Sequence, residues 1–307
     1  MPVDYRSYMK DCKLCPRNCH VDRLGGQRGY CGQTAELRAG RAGLHVWEEP
    51  CISGDKGSGT VFFSGCPLRC IYCQNRCLAE SRAGKVISTE RLAEVFLELE
   101  EKGANNINLV TPTHFVPQIA CALELSKTKG LTIPVVYNTG SYEKAKTLRL
   151  LDGLVDIYLP DLKYVSADLA MRYSNAPDYF EVASSAIREM FKQVGKPVFE
   201  ADSSGQELMK KGMIVRHLVL PEGEDDSKKV LAYLQETYGD SIYISIMNQY
   251  TPMGHFEAYP ELNRKISDEV YDRIVDYALD IGIENGFIQE GDTAKESFIP
   301  VFDGSGL

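Results

Sequence analysis

The sequence predicts an α/β fold in which a parallel sheet carries helices on its outside, and three observations point there. From Thr60 onward short apolar runs alternate with longer stretches of helical periodicity. The runs have the length of buried strands, and strands separated by helices make a parallel sheet with crossover helices. A chain of 307 residues with 44% hydrophobic content can also bury one sizeable core, a common size for a single α/β barrel.

Residues 1–55 stand apart as a Cys-rich N-terminal module. They contain Cys12, Cys15, Cys19, Cys31 and Cys51, many Gly and Arg, and little periodic hydrophobicity, so order here needs an organiser other than a core, and metal would supply it. The barrel is expected over 56–290. TVFFSG at 60–65 is its first strand. Ser88 is then an N-cap for the helical stretch TERLAEVFLELEEKG. NINLV (106–110), PVVYN (134–138) and VDIYLPDL (155–162) read as strands, separated by helices over 114–130 and 142–153. A helix over 179–194 precedes the strand MIVRHLVL (213–220). Further on lie a helix from about Asp225 to Tyr238, the strand SIYISIMN (241–248), a helix from about Asp268 to Gly282 and a last short apolar segment. Residues 291–307, ending FIPVFDGSGL, are expected to form a tail. In such folds chemistry collects at the carboxyl ends of the strands.

Composition excludes several classes. The net charge of −9, without a long Lys/Arg run, is unsuited to a phosphate backbone, so no nucleic-acid partner is expected. No stretch approaches the ~20 apolar residues that span a bilayer, and MPVDYRSYMKDC has no apolar signal-peptide centre, so a cytoplasmic protein with no membrane partner is expected. Ten cysteines clustered at short spacings in a chain of this kind suggest metal rather than disulfides.

Cys66, Cys70 and Cys73 form a Cys-x3-Cys-x2-Cys loop directly after the first barrel strand. Thiolates so spaced can hold a cubic iron-sulfur cluster while leaving one of its irons without a protein sulfur, open to an exogenous ligand. A zinc site is the other reading, with Cys77 as the fourth ligand, or else buried structural thiols. Cys12, Cys15, Cys19 and Cys31 are a second set able to close around zinc or an iron-sulfur cluster. Cys121 falls on an apolar helix and reads as core. The segment His45-Val46-Trp47-Glu48-Glu49-Pro50 brings Glu48, Glu49, an imidazole and the only Trp near the cluster strand, to bind substrate or move protons. The alternative there is a loop with a packed Trp and solvated acids. His255 and Tyr250, in the loop after SIYISIM, are substrate-contact candidates, and His114 and His217, within strand patterns, read as core.

VFFSGCPLRCIYCQN, with Tyr72 before the last cysteine and Gln74-Asn75 after it, resembles the radical S-adenosylmethionine (SAM) superfamily. That resemblance implies a 4Fe-4S cluster whose open iron chelates SAM and, once reduced, cleaves it to a 5′-deoxyadenosyl radical. Cluster potentials span roughly −700 to +450 mV, and this cleavage needs the low end, hence a low-potential electron donor of flavodoxin or ferredoxin type. Together CKLCPRNCHVDR, GQRGYCG, HVWEEPCISG and NINLVTPTHFVP resemble the PflX family, relatives of the pyruvate formate-lyase activating enzymes. Membership would imply a partial (β/α)6-type radical SAM barrel and an oxidoreductase acting on a protein, peptide or small molecule, a glycyl-radical enzyme among them. In those relatives a Gly-Gly-Glu segment meets the SAM amino group; here Thr111 and Thr113 stand in that stretch, offering hydroxyls in place of a carboxylate. Asn138 matches a strand end that contacts ribose, and Lys163 matches the lysine of an Asp-Leu-Lys segment facing the SAM carboxylate and ribose. The departure from Gly-Gly-Glu is also what an alternative would rest on, a non-catalytic iron-sulfur or zinc protein that relays electrons or scaffolds an assembly.

Overall fold

The structure is a computed structural model describing residues 4–289 and 300–307. Ten strands are described: β1 (Arg38–His45), β2 (Ser58–Phe63), β3 (Lys85–Val86), β4 (Ile107–Val110), β5 (Val135–Thr139), β6 (Ile157–Pro160), β7 (Val198–Ala201), β8 (Glu207–Leu218), β9 (Tyr243–Met247) and β10 (Gly286–Ile288). Their order is β10-β9-β8-β6-β5-β4-β2-β1-β3, with β7 paired to β8 outside this path. Every pairing from β2 through β10 along that order is parallel, whereas β1 pairs antiparallel with both β2 and β3. β2, β4, β5, β6, β8 and β9 are each followed by helix, so six strand–helix units precede β10. The α/β fold with a mostly parallel sheet is therefore present.

Local sequence explains the elements. β2 is buried along its whole length, as a strand covered on both faces must be, and Val61, Phe62 and Phe63 suit that environment. The helix Thr89–Glu101 is capped by Ser88, whose hydroxyl accepts from the Arg91 amide at 3.0 Å, and it buries Leu92, Val95, Phe96 and Leu99 against the sheet. Over 142–153 the expected helix shrinks to one turn, Ala145–Leu148, continued as a 3-10 turn, because Glu143 is drawn into the core by hydroxyl partners. The other face of the sheet is closed by a small apolar cluster, in which Cys51 and Ile52 of the turn Pro50–Ser53 pack on Val136, Ile157, Leu159, Met209 and Ile214. Asn105 and Asn106 fasten this turn by donating to the carbonyls of Ser53 (2.7 Å) and Ile52 (2.8 Å).

Three features depart from the periodic reading. β1 has the sequence RAGRAGLH, poor in strand formers, and is held by β2 and by the C-terminal residues, where Gly304 donates to Gly40 and Ala42 donates to Ser305. Residues 300–307 of the expected tail thus lie along β1, while 291–299 fall outside the described residues. β8 begins earlier than expected because Val198–Ala201 folds back on it as a hairpin. Among the described residues no helix is long and apolar enough to cross a membrane.

Parallel strands deliver all their following loops to one edge. Tyr179 ties two of these loops together from beneath. Its hydroxyl accepts from the Lys163 amide at 3.0 Å and lies 2.8 Å from the Asp161 carbonyl and 3.1 Å from that of Gly140. Tyr179→Phe strands a buried amide and is expected to cost roughly 1–3 kcal/mol in denaturant unfolding. A loss below a few tenths would mean that this hydroxyl does not hold the loops.

Candidate active site

A cavity of about 1000 Å³ opens at the carboxyl edge of the sheet. Cys66, Cys70 and Cys73 all line it. Their loop turns at Gly65 (φ +88°), where a Cβ would meet the Cys31 carbonyl at 2.6 Å, so only glycine lets the loop pass. The Leu68 amide points at Cys66 Sγ (3.4 Å), the Cys73 amide donates to the Cys70 carbonyl (3.1 Å), and Ser174 Oγ donates to Cys70 Sγ (3.0 Å). Burial, and then the neighbouring thiols, push Cys66 up to about 11 and Cys73 up to about 12. Bound cations would reverse that penalty and make all three thiolates. Among the described residues no three Cys, His, Asp or Glu are spaced to hold a single ion. A cubic cluster asks for something else, one thiolate on each of three irons, and three soft donors opening on one cavity fit that demand.

A buried ionic network sits in the same cavity, centred on Arg216 of β8. Its guanidinium donates to Asp161 Oδ1 (2.9 Å), Glu48 Oε2 (3.2 Å) and Asn138 Oδ1 (2.6 Å). Lys163 Nζ donates to the other oxygen of Asp161 at 2.6 Å, and Asn108 donates to Glu48 Oε1 at 2.8 Å. Burial opposes the Asp161 charge, but Arg216 and then Lys163 outweigh it and hold that carboxyl below the usual range. Burial likewise opposes the Lys163 charge, and Asp161 followed by Cys70 raises it. Glu49, beside Glu48 on the cavity wall, is pushed up by burial.

The sequence-derived residues take the following places. Thr111, Thr113, Asn138 and Lys163 line the cavity, with Thr111 in a left-handed conformation (φ +57°). Asn138 is engaged on both sides of its amide by Arg216 and Glu48. Of the two readings of the His45–Pro50 segment, the acids are not solvated: Glu48 is 8% exposed and ion-paired, while Trp47 is 59% exposed at the cavity. Tyr250 lines the cavity with its ring, but its hydroxyl donates to the Leu262 carbonyl at 2.6 Å. His255 is exposed and is not part of the cavity wall. His114 and His217 are buried beside backbone carbonyls, as core residues. Cys77 is exposed and Cys121 half-buried. Cys12, Cys15, Cys19 and Cys31 lie within electrostatic reach of one another, outside the cavity.

Three functional-site residues escaped the sequence reading. Arg216 stands inside an ordinary strand pattern, and Asp161 stands in the Asp-Leu-Lys segment, whose resemblance singles out only the lysine. Glu143 lies fully behind the wall, where Oε1 accepts from Thr113 (2.6 Å), Thr139 (2.7 Å) and Tyr137 (3.0 Å), and burial raises its carboxyl. Its position in a turn gave no signal.

Residues 60–200 match the model of the radical SAM superfamily. An uncharacterized protein of Methanocaldococcus jannaschii is 26% identical over 283 residues, covering 89% of this chain and 75% of that protein. HydG, a maturase of the FeFe-hydrogenase, shares the fold with a TM-score of 0.52 at 14% identity, over 76% of this chain and 51% of HydG. Streptococcus suis SuiB, bound to the precursor peptide SuiA, does so with a TM-score of 0.50 at 13% identity, over 74% of this chain and 47% of SuiB. The chain thus spans about half the length of these two solved proteins. Residues 60–200 are thus similar to the radical SAM superfamily, and the two solved proteins share the fold.

Two outcomes are expected. Arg216→Met leaves Glu48 and Asp161 buried without their shared cation and should lower stability by about 3–5 kcal/mol, with partial recovery in Arg216→Lys; a loss below 1 kcal/mol in urea unfolding would show the network to be dispensable. Burial holds His217 at about 4. The unfolded histidine takes up its proton near pH 6.5, so below that pH the unfolded chain binds more protons and stability falls as pH falls. Between pH 6 and 5 that decline should be smaller in His217→Gln than in the parent by just over 1 kcal/mol per pH unit. Comparing the two proteins cancels the opposing contribution of Glu49 and Glu143. Equal slopes would place the His217 proton equilibrium outside this window.

Proposed function

We propose that this chain is a radical SAM enzyme in which Cys66, Cys70 and Cys73 hold the cluster and the shared cavity takes SAM together with a substrate. When bound, the reduced cluster supplies the electron that cleaves SAM to methionine and a hydrogen-abstracting 5′-deoxyadenosyl radical. The carrying observation is that three thiols of one loop open on the same cavity as Lys163, a half-buried cation held at 2.6 Å from Asp161. In this reading Lys163 receives the SAM carboxylate, and the hydroxyls of Thr111 and Thr113 accept from its amino group. Asn138 reaches the ribose only through its place in the Arg216 network, so its contribution is to position the wall.

The substrate is proposed to be a protein or peptide segment, and by likeness to the PflX family a backbone glycine of a glycyl-radical enzyme. SuiB, with its bound precursor peptide, supports a fold able to take a peptide. Trp47, exposed at the cavity, offers an apolar contact for such a segment, with Glu48 and Glu49 behind it. Tyr250 contributes its ring to the wall, and His255 would act only if its loop closed. A low-potential flavodoxin or ferredoxin is the proposed electron donor, and the cytoplasm the proposed location.

The test is anaerobic. The iron-reconstituted protein with SAM and dithionite should release 5′-deoxyadenosine, read by mass spectrometry, and the Cys66→Ala, Cys70→Ala, Cys73→Ala variant should release none. Absence of deoxyadenosine from the parent, with its cluster verified by electron paramagnetic resonance and candidate glycyl-radical enzymes supplied, would favour the non-catalytic reading.

A further inference from the structure

We propose that Cys12, Cys15, Cys19 and Cys31 hold a second iron-sulfur cluster, liganded by protein thiolates alone, whose negative charge is balanced by the buried guanidinium of Arg23. The inference does not depend on SAM chemistry at the other cysteine loop.

Arg23 is the starting point. It is 1% exposed and one of the largest fully buried side chains. Its nitrogens donate to the carbonyls of Thr34 (3.0 and 2.7 Å) and His114 (2.7 Å), and Nη1 lies 3.9 Å from Cys12 Sγ. These acceptors are neutral, and none of the ion pairs among the described residues includes Arg23. Carbonyls satisfy the hydrogen bonds of a guanidinium without cancelling its charge, and an uncompensated buried charge is among the costliest features a protein can hold. The missing anion must therefore lie nearby. Four thiolates around an iron-sulfur core or a zinc ion give a centre of net charge about −2, and the nearest sulfur is already in contact with Arg23.

The surrounding backbone converges on the same point. The Tyr30 amide donates to Cys19 Sγ (3.2 Å), and a Cβ on Gly29 would meet Cys19 Sγ at 3.4 Å and Cys31 Sγ at 3.6 Å. Cys12 is bracketed by its amide's bond to Val21 and its carbonyl's bond from His20. Meanwhile the apolar cluster of this segment has only Met9, Cys12 and Leu14 buried, too few to order it alone. Binding would release the thiol protons to solvent.

The experiment removes the first cluster and counts what remains. The chain carrying Cys66→Ala, Cys70→Ala and Cys73→Ala, reconstituted anaerobically with iron and sulfide, should retain about four irons and four sulfides. Adding Cys12→Ala and Cys31→Ala should abolish them. Zinc in place of iron would overturn the iron-sulfur assignment, and a chain without bound metal would overturn the site. On the three-alanine background, Arg23→Gln should lower the midpoint potential of the remaining cluster, read by redox-poised electron paramagnetic resonance, while Arg23→Lys should leave it near the parent value. An unchanged midpoint in Arg23→Gln would overturn the counter-charge role.

Discussion

Arg216 is the contact on which the cavity depends. One guanidinium joins β8 to the Asp161 segment after β6, to Asn138 on β5 and to Glu48 on the loop before the turn Pro50–Ser53. Without it two carboxylates would face each other in a region where neither is more than 15% exposed. Such groups would take up protons or drag water inward, and either change would loosen the wall. With it, the ends of three parallel strands keep a fixed polar surface at neutral pH. The price is specificity of sequence: lysine cannot reproduce three divergent donations from one planar head.

The two cysteine loops depend on each other in a similar way. Arg17, between Cys15 and Cys19, donates to the Pro67 carbonyl (2.8 Å) inside the Cys66 loop and to the Ser174 carbonyl (2.9 Å). Ser174 in turn reaches Cys70 Sγ, and the Cys31 carbonyl lies where a side chain at Gly65 would stand. The N-terminal segment is therefore part of what shapes the Cys66 loop. Tyr30 and Tyr142 cover the Arg17 guanidinium at 4.0 and 5.0 Å, shielding these bonds from water.

Much of this was legible because parallel strands advertise themselves. Runs such as NINLV and PVVYN are short, rich in strand-forming residues and sit between strong helical periods, so their identity and order followed from pattern alone. The Cys-x3-Cys-x2-Cys loop was equally plain, since its chemistry lies in its spacing. What failed to show was whatever depends on a partner distant in sequence. RAGRAGLH becomes a strand only because β2 offers an edge, and at Gly40 a Cβ would come within 2.4 Å of Leu78, so the small residues there record close packing. The hairpin of β7 with β8 is set by Asp202, whose carboxylate accepts from the amides of Ser204 and Gln206, a local turn signal easily passed over. Arg216 and Glu143 were hidden for the same reason: a charge in a strand or turn pattern acquires meaning only from what burial brings to it.

Glu143 shows how a wall can be negative in character while exposing no charge. Three hydroxyl protons are committed to one of its oxygens, and the other oxygen is buried without a protein donor. Burial favours the protonated acid and the hydroxyl donations favour the carboxylate, with burial the larger. In either state Oε1 remains an acceptor, so the hydroxyl proton of Thr113 stays turned away from the cavity that the residue lines. What it presents to a guest is therefore lone pairs. Thr139 is oriented likewise and also accepts from the Ser141 amide. A carboxylate placed directly in the wall would bind a cation more strongly, but it would also need hydration or a counter-ion when the cavity stood empty. Setting the acid one layer back, behind a threonine, gives an acceptor surface that stays folded and neutral without a guest, and it selects donors by geometry before charge.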